Sequence, residues 1–151
     1  MSAFGLDTIQ HLLPHRPPFL FVDDILECDE KAFIVGQKRV VSEEFYFKGH
    51  FPGDPVMPGV IQIETMAQTA GLLAIQLAHR KGAAITPYLT GINKARFRRV
   101  IRPGDLLRIE ATLLQHRNLT GKFYTKILLD GKIASEAELS CILVPKDSPH
   151  S

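Results

Sequence analysis

Hydrophobic residues recur along the chain in patterns typical of β-strands, except in one long stretch near its middle. Six segments are short, rich in β-branched or aromatic residues and bounded by turn residues, which predicts strands. They cover residues 19–26, 32–41, 87–97, 106–115, 121–129 and 132–144. Asp130 and Gly131 separate the last two segments, and an Asp-Gly pair at such a place predicts a tight hairpin.

The middle stretch, residues 60–81, is predominantly apolar and longer than any predicted strand. Gly59 precedes it and Gly82 follows it, so we expect one long helix with Gly82 just past its end. A helix that is apolar around most of its circumference must be covered on several sides. The run of strands after the helix favours an α+β fold, a meandering antiparallel sheet wrapped around the helix, in one domain over residues 1–151.

The remaining segments carry weaker signals. A short helix is expected over residues 6–13, with Asp7 as its N-cap and Pro14 ending it. The aromatic segment 42–47 fits neither a helix nor a strand pattern. The polar residues 146–151 are expected to form a loose tail.

Composition restricts the class of protein further. Apolar residues make up 45% and charged residues 23% of the chain, as in soluble globular domains, and the net charge of +2 does not indicate nucleic-acid binding. Glu64 and three glutamines in the long helix argue against a membrane span, and the N-terminus does not resemble a signal peptide. The two cysteines, Cys28 and Cys141, are expected to be small strand residues in a reducing compartment. We therefore expect a cytoplasmic protein or the mature form of an organellar one.

Glu64 is the first candidate for chemistry, because it lies off the polar stripe of the long helix, beside small and apolar residues. The stripe comprises Gln62, Thr65, Thr69 and Gln76, and the neighbours are Val60, Ala67 and Gly71. A carboxylate in such surroundings costs free energy unless it is paired or used, and Gln68, one turn on, is placed to orient it. The alternative is an ordinary glutamate that faces solvent or forms an ion pair.

His50 and the start of the long helix are the other candidates. His50 opens a loop that three prolines and three glycines constrain, and histidine is the side chain best suited to proton abstraction near neutral pH. A structural histidine is the alternative. The unsatisfied N–H groups near Gly59 suit a carbonyl oxygen that gains negative charge. Together the three parts suit removal of a proton next to a carbonyl and loss of a β-hydroxyl as water.

A basic segment follows the helix. Lys94, Arg96 and Arg98 alternate with apolar residues, so a regular strand would place the three cations on one face, and Arg99 and Arg102 add to the cluster. The segment is either an ordinary solvated strand face or a surface that attracts an acidic partner.

Four motifs carry a resemblance to a known family. They are HRPPFLFVD (15–23), GHFPGDPVMPGV (49–60), IETMAQTAG (63–71) and GINKARFRRVIRPGD (91–105). Over residues 12–144 the chain resembles bacterial 3-hydroxyacyl-[acyl-carrier-protein] dehydratases of the FabZ type. The resemblance implies a hot-dog fold, a curved antiparallel sheet around a central helix. It also implies dehydration of a (3R)-3-hydroxyacyl thioester on acyl carrier protein to the trans-2-enoyl thioester, without a metal or an organic cofactor.

The resemblance implies roles for individual residues as well. His50 would be the catalytic histidine, Glu64 the catalytic carboxylate, and the Gly59 amide would polarise the thioester carbonyl. The histidine of one subunit would face the glutamate of its dimer partner, and three such dimers would assemble. Whether Glu64 or protonated His50 donates the last proton stays open. The acidic carrier protein would dock on Lys94, Arg96, Arg98, Arg99 and Arg102.

The candidates for contact with the substrate are Phe51, Val60, Gln68 and Tyr88. Tyr88, ahead of the basic segment, is expected to line or gate an apolar acyl tunnel, although a core position is an equal alternative. Further tunnel candidates, all equally suited to plain packing, are Phe47, Phe51, Val60, Ile63 and Ala67.

Four positions distinguish the chain either from the related isomerising dehydratases or from most FabZ-type dehydratases that it resembles. Glu64 and Ala67 stand where the sister type that also isomerises its product carries Asp and Trp, which favours dehydration alone. Pro17 stands where Tyr is common and Asn93 where Asp is common. The first difference would alter the loop near the site entrance, and neither touches the expected chemistry.

Two other functions stay open. A hot-dog thioesterase would use Glu64 to activate water against the same thioester. An inactive subunit that binds the carrier is the non-enzymatic alternative, against which the presence of both His50 and Glu64 argues. A metal site is not expected, because His50, Asp54 and Glu64 lack a recognised ligand spacing.

Overall fold

The computed structural model describes residues 3–78 and 85–145, and the expected tail at 146–151 lies outside them. The helices and strands of the described part follow one another in the order α1, β1, β2, a 3-10 turn, α2 and β3 to β6. Their bounds are Leu6–Leu12 (α1), Asp24–Asp29 (β1), Phe33–Arg39 (β2), Phe45–Phe47 (3-10), Gly59–Leu77 (α2), Ile85–Phe97 (β3), Leu106–Arg117 (β4), Thr120–Leu129 (β5) and Lys132–Pro145 (β6).

The six strands form one antiparallel sheet in the order β1-β2-β4-β5-β6-β3. Strands β4, β5 and β6 follow one another as a meander, whereas β3 lies at one edge, beside β6. This arrangement confirms the predicted antiparallel sheet. Strands β1 and β3 are the edge strands. Phe4 bridges to Ile25 of β1, whereas β3 leaves one side of its backbone without a partner strand in the described chain.

Helix α2 packs against strands β2 to β6 and joins two apolar clusters. Met66 of its first half packs with Ile109 and Ile127, and Leu72 of its second half packs with Ile34 and Phe123. Fully burying each such side chain stabilises the fold by about 1.5–3 kcal/mol. Nearly the whole circumference of α2 is therefore covered, as its apolar sequence predicts.

Most of the polar stripe of α2 is buried as well, and its two threonines bond to the helix itself. Thr65 and Thr69 are fully buried, and their hydroxyls donate to the carbonyls one turn back at 2.8 and 3.0 Å. A Cβ added at Gly36 of β2 would lie 3.3 Å from Thr69. Glycine at this position lets the sheet approach the helix closely.

Several predicted boundaries are wrong, most clearly those of α1, β1 and α2. Helix α1 has Gly5 as its N-cap, and Asp7 lies in the first turn without a capping hydrogen bond. The chain before β1 is not strand from residue 19, because the N–H of Phe21 bonds to Gln68 of α2 instead of a neighbouring strand. Helix α2 begins at Gly59 and ends at Leu77, four residues before the expected end, and Gly82 lies outside the described residues.

The predicted hairpin between β5 and β6 is confirmed. Leu129 pairs with Lys132, so the turn has two residues, and Asp130 and Gly131 both have positive φ, 52° and 77°. Two positive φ angles are the signature of a type I′ turn, whose twist matches that of the strands it joins.

A buried ion pair holds the segment between β2 and the loop that begins at His50. Lys38 is only 4% exposed, its Nζ lies 3.0 Å from Glu44, and it also stands over the ring of Phe21. A buried lysine is rare unless it is paired. The pair therefore ties the segment around Glu44 to strand β2.

Charged residues on the outer face of the sheet pair within and across strands. Arg108 of β4 reaches Glu110 at 2.7 Å and Glu27 of β1 at 3.3 Å, and Lys126 of β5 lies 3.5 Å from Glu110. Such exposed pairs contribute little individually, typically about 0.2–1 kcal/mol. They cover this face with charges of alternating sign.

Neither described helix is long and apolar enough to cross a membrane.

Candidate active site

His50 is held by a loop with many internal hydrogen bonds. Phe51 and Asp54 exchange two backbone hydrogen bonds at 2.9 and 3.0 Å, and the N–H of Val56 donates to the His50 carbonyl at 2.9 Å. Gly53, between them, has a φ of +76°, which glycine adopts without strain. Arg102 reaches into the loop and donates to Asp54 Oδ1 at 2.6 Å. The loop is therefore rigid and positions the imidazole.

The imidazole of His50 is oriented by one backbone oxygen. Nδ1 lies 2.7 Å from the Val56 carbonyl, which can only accept, so Nδ1 carries the proton. Nε2 then has a free lone pair, and the ring stacks on Phe51 with centroids 3.9 Å apart. This is the tautomer that a general base requires.

His50 lines an open surface groove with the start of α2, the end of β3 and the residues that follow it. The other lining residues are Val56, Met57, Gly59, Gln62, Phe97, Arg98, Arg99 and Val100. Arg98 is paired with Glu136, so the positive charge at the rim comes mainly from Arg99. The groove can therefore receive an anionic or strongly polarised group.

Gly59 is the first residue of α2, and its N–H has no backbone acceptor among the described residues. A Cβ at this position would lie 3.0 Å from the ring of Phe97, tighter than nine in ten real contacts. Glycine thus lets Phe97 pack directly against the helix start. It also leaves a donor with a positive partial charge open in the same groove as His50.

Glu64 has two contacts on one carboxylate oxygen. Gln68 Nε2 donates to Oε2 at 3.0 Å, as its place one turn on suggests, and His15 Nε2 lies 3.4 Å from the same oxygen. Gln68 also accepts from the N–H of Phe21 at 2.8 Å and donates to the Phe19 carbonyl at 3.0 Å. The carboxylate is therefore not an ordinary solvent-facing group, and no lysine or arginine of residues 3–78 and 85–145 pairs with it.

Glu64 lines a second, small cavity with polar and apolar walls. The polar groups are His15, Glu64, Gln68 and Tyr88. The apolar walls come from α2 and from strands β3, β5 and β6, and they include Ala67, Leu89, Phe123, Leu139 and Cys141. The cavity therefore offers hydrogen-bonding groups next to apolar walls.

The described chain thus places its two titratable candidates in two different pockets. Gln62 lines the groove of His50, and Glu64, two residues on, lines the other cavity. Two helical positions are about 200° apart around the axis, so the pockets lie on different sides of α2. Both nevertheless border β3, since Tyr88 belongs to one and Phe97 to the other.

The remaining substrate candidates separate into three groups. Gln68, Ala67 and Tyr88 line the cavity of Glu64, and Tyr88 is 47% exposed at its mouth. Phe51 and Val60, at 49% and 76% exposure, line neither pocket. Phe47 and Ile63 belong to the apolar core, so for these two plain packing is the better interpretation.

The basic segment is less regular than its alternation predicts. A bulge between Asn93 and Arg96 interrupts the pairing of β3 with β6, Lys94 has a φ of 54°, and Arg98 lies beyond the strand. Lys94 and Arg98 still share a face, because they reach Glu138 and Glu136, which alternate along β6, at 3.6 and 2.6 Å. The segment is therefore a bulged strand end, not a regular row of cations.

Several of these cations are neutralised internally. The hydrogen bond from Arg98 holds the pKa of Glu136 below its usual range, and Arg102 pairs with Asp54 of the His50 loop at 2.6 Å. Arg99 differs, because no carboxylate of the described residues lies within ion-pair distance of it. Of the two arginines that line the groove of His50, Arg99 is therefore the one whose charge no described carboxylate compensates.

Both cysteines lie on strands, as expected, and burial raises the pKa of each thiol to about 11. Cys141 lines the cavity of Glu64. Its thiol therefore stays protonated near neutral pH and acts as an apolar wall.

His15 is the site residue that sequence reasoning missed. The motif that contains His15 is recognisable in the sequence. However, 49 positions separate His15 from Glu64, and no local pattern connects the two residues. The signal that could have found it is the histidine before two prolines, an ionisable group at the start of a rigid, extended segment. The described residues thus supply a base, a carboxyl group with two contacts and a free helix N–H.

A curved antiparallel sheet around one central helix, with these groups at the sheet edge, defines a protein of the hot-dog class. Comparison with known families agrees, since the model of the FabA-like domain matches residues 13–138. The chain belongs to this family.

Curated relatives resemble the chain over nearly its whole length. A "3-hydroxyacyl-[acyl-carrier-protein] dehydratase FabZ" of Syntrophotalea carbinolica is 46% identical over 138 residues, which cover 91% of this chain and 93% of the relative. The protein of the same name from Chlamydia trachomatis serovar L2 is 44% identical over 148 residues, 97% of this chain and 96% of the relative.

Two solved structures share the fold. The dehydratase heterocomplex ApeI:P of Xenorhabdus doucetiae superposes with a TM-score of 0.79 at 23% identity and covers 91% of both chains. A hypothetical thioesterase with coenzyme A from Streptococcus pneumoniae gives 0.60 at 15% identity, over 82% of this chain and 87% of that one. At these identities the likeness concerns the fold alone.

Proposed function

We propose that the protein is a 3-hydroxyacyl-[acyl-carrier-protein] dehydratase of fatty acid biosynthesis. It removes water from a (3R)-3-hydroxyacyl thioester to give the trans-2-enoyl thioester. One observation carries the proposal beyond family membership. The described chain presents an oriented imidazole beside a free helix N–H, and a positioned carboxyl group in a cavity with polar and apolar walls.

The chemistry assigns one task to each group. Nε2 of His50 takes the proton from the carbon next to the thioester carbonyl, while the Gly59 N–H stabilises the negative charge that develops on the carbonyl oxygen. Glu64 in its protonated form donates to the β-hydroxyl as the carbon–oxygen bond breaks. The electron pair of the broken C–H bond becomes the new double bond, and water leaves.

The two pockets become one site when two copies of the chain pair through their β3 edges. Strand β3 is 13 residues long, lies at the sheet edge and exposes Tyr88, Leu89, Ile92 and Phe97. A long apolar edge favours pairing with another strand. Antiparallel pairing centred between Ile92 and Asn93 would set Tyr88 of one copy opposite Phe97 of the other. The cavity of Glu64 would then adjoin the groove of the other copy's His50.

We infer further partners from the same geometry. Phe51 and Val60, exposed beside the groove of His50, would be covered by the second copy and contact substrate there. Acyl carrier protein would approach the rim at Arg98, Arg99 and Arg102, with Lys94 and Arg96 farther along the segment. Assembly of three dimers and a cytoplasmic location complete the proposal, which requires neither a metal nor an organic cofactor.

The assay follows the enoyl thioester and free thiol together. Purified protein with a crotonyl thioester should remove the enoyl absorbance by hydration without releasing thiol, whereas a thioesterase would release it. His50→Ala should lower kcat by about 10²–10⁴-fold, as expected for loss of a general base. Thiol release at a rate that matches substrate loss, or an unchanged kcat in folded His50→Ala, would contradict the proposed function.

A further inference from the structure

The segment that carries His15 is bound to its surroundings at both ends. Arg16 donates to three backbone carbonyls, those of Gln10, Leu13 and His15, at 2.7–2.9 Å. Farther on, Gln68 of α2 bonds to the carbonyl of Phe19 and the N–H of Phe21. No sheet pairing of residues 15–21 is found within the described chain, so these bonds to α1 and α2 determine where the imidazole lies.

The imidazole of His15 faces Glu64 with one nitrogen and the protein interior with the other. Nε2 lies 3.4 Å from Oε2 of Glu64, and the two side chains are only 19% and 23% exposed. Nδ1 is buried and has no hydrogen-bond partner among the described residues. Unpaired buried N–H groups are rarer in proteins than unpaired buried acceptors, so we place the ring proton on Nε2, toward the carboxylate.

We propose that His15 is a positioning residue, which donates from Nε2 to Oε2 of Glu64 so that Oε1 alone serves the substrate. This inference rests on the proposed dehydratase function. Gln68 already donates to Oε2, and no hydrogen bond reaches Oε1 within the described part of the chain. Two donors on Oε2 leave Oε1 as the oxygen that carries the proton in the acid form.

The 3.4 Å separation is longer than an ordinary N–H···O bond. Contacts of catalytic groups are often long without substrate and shorten when it binds. His15 therefore acts most strongly in the step that breaks the carbon–oxygen bond, and its removal should affect kcat more than KM.

Three substitutions at position 15 test the role. The amide nitrogen of glutamine can reach the place of Nε2, whereas that of asparagine reaches only the place of Nδ1. His15→Phe and His15→Asn should lower kcat by about 10–100-fold with KM within about twofold, as for other supporting contacts of an active site. His15→Gln should recover most of that loss. His11→Phe, on the exposed face of α1, is the matched histidine control and should leave kcat unchanged.

Equal kcat values in wild type, His15→Phe and His15→Asn would overturn the inference, and so would an equal loss in the asparagine and glutamine variants. If His15→Phe does not fold, the comparison of Asn with Gln decides alone.

Nitrogen NMR of the ¹⁵N-labelled full-length protein supplies a readout without turnover, with the His15 signal assigned from the glutamine variant. A proton on Nε2 alone supports the role, and a proton on Nδ1 overturns it. If the wild-type protein catalysed no dehydration, the proposed function would be refuted. The NMR measurement of the ring proton would still test the contact between His15 and Glu64.

Discussion

At the residue scale, what the site can do depends on which atoms keep a free lone pair or proton. The Val56 carbonyl holds Nδ1 of His50 and leaves Nε2 free, and Gln68 holds Oε2 of Glu64 and leaves Oε1 free. In both side chains the protein occupies one atom and thereby selects the other for chemistry. In the same way, the proposed donation from His15 to Oε2 of Glu64 would leave Oε1 for the substrate.

Gly59 offers the sharpest test at this scale. A methyl group there would press on the ring of Phe97 at 3.0 Å, so Gly59→Ala should displace the helix start and its N–H. We expect kcat to fall by about 10²–10³-fold, as when an oxyanion donor is lost, and the free energy of unfolding to fall by about 1–3 kcal/mol through overpacking. Steady-state kinetics and urea unfolding measure the two effects.

Phe97→Leu is the companion change, because it removes the ring from the position that the new methyl group would occupy. The double variant Gly59→Ala, Phe97→Leu should regain stability relative to Gly59→Ala. A Gly59→Ala enzyme with wild-type kcat and stability would contradict the close packing described here.

Individual residues were only partly predictable from the sequence. His50, Glu64 and Gly59 lie within 15 positions of one another in a stretch whose spacing suggests chemistry. His15 depends on a fold that joins its segment to α2 through Gln68, a contact across 47 to 49 positions. Local patterns contain no information about such a contact, so only the folded chain reveals it.

At the scale of elements, strand β3 combines three features in one segment. It is the sheet edge, it borders both pockets, and its C-terminal end passes into the basic segment. Its existence follows from residue types, but its bulge does not, because the bulge depends on which residues of β6 stand opposite. The start of β1 was mispredicted for a related reason, since Gln68 takes the hydrogen bond of Phe21.

The basic segment gives a prediction about electrostatic capture. Reversing Arg98 or Arg102 would also break a bond to Glu136 or Asp54, so Arg99 is the cleaner position. Arg99→Glu should raise KM for carrier-bound substrate at low salt, and the effect should shrink as salt screens the charges. Activity on a short carrier-free thioester should persist.

Arg117→Glu is the matched control, because it makes the same change in net charge at an exposed site. Arg99 bonds to Ala134 of β6 and Arg117 lies near Ile142, eight residues along the strand, roughly 26 Å away at about 3.3 Å per residue. Equal losses in the two variants would point to net charge alone and would contradict local docking at Arg99.

At the scale of the whole molecule, the described chain contains each part of the site but not the site itself. His50 and Glu64 lie on different sides of α2, and neither pocket holds both. The sheet around a helix was predictable, since strand length and the long apolar helix allow few architectures. The separation of the two groups within one chain was implied only by the family resemblance and not by the residue pattern, because it depends on how the 49–58 loop meets the helix.

Mixed subunits test whether two chains share the chemistry. His50→Ala and Glu64→Gln proteins should each be nearly inactive alone. When they are co-expressed with different tags, half of the dimers are mixed and one of their two sites is intact, so about a quarter of wild-type activity should return. A mixture no more active than its components would show that each chain works alone. Mixing His50→Ala with the double variant is the control, since no intact site can form.

Gln68 is part of both the scaffold and the reaction. Its amide oxygen and both amide hydrogens are engaged, by Phe21, Phe19 and Glu64. A library that reshapes the 13–23 segment to admit longer or branched acyl chains must therefore keep the backbone at Phe19 and Phe21 in register. Otherwise a change intended for selectivity would also release the carboxyl group and reduce both protein yield and turnover.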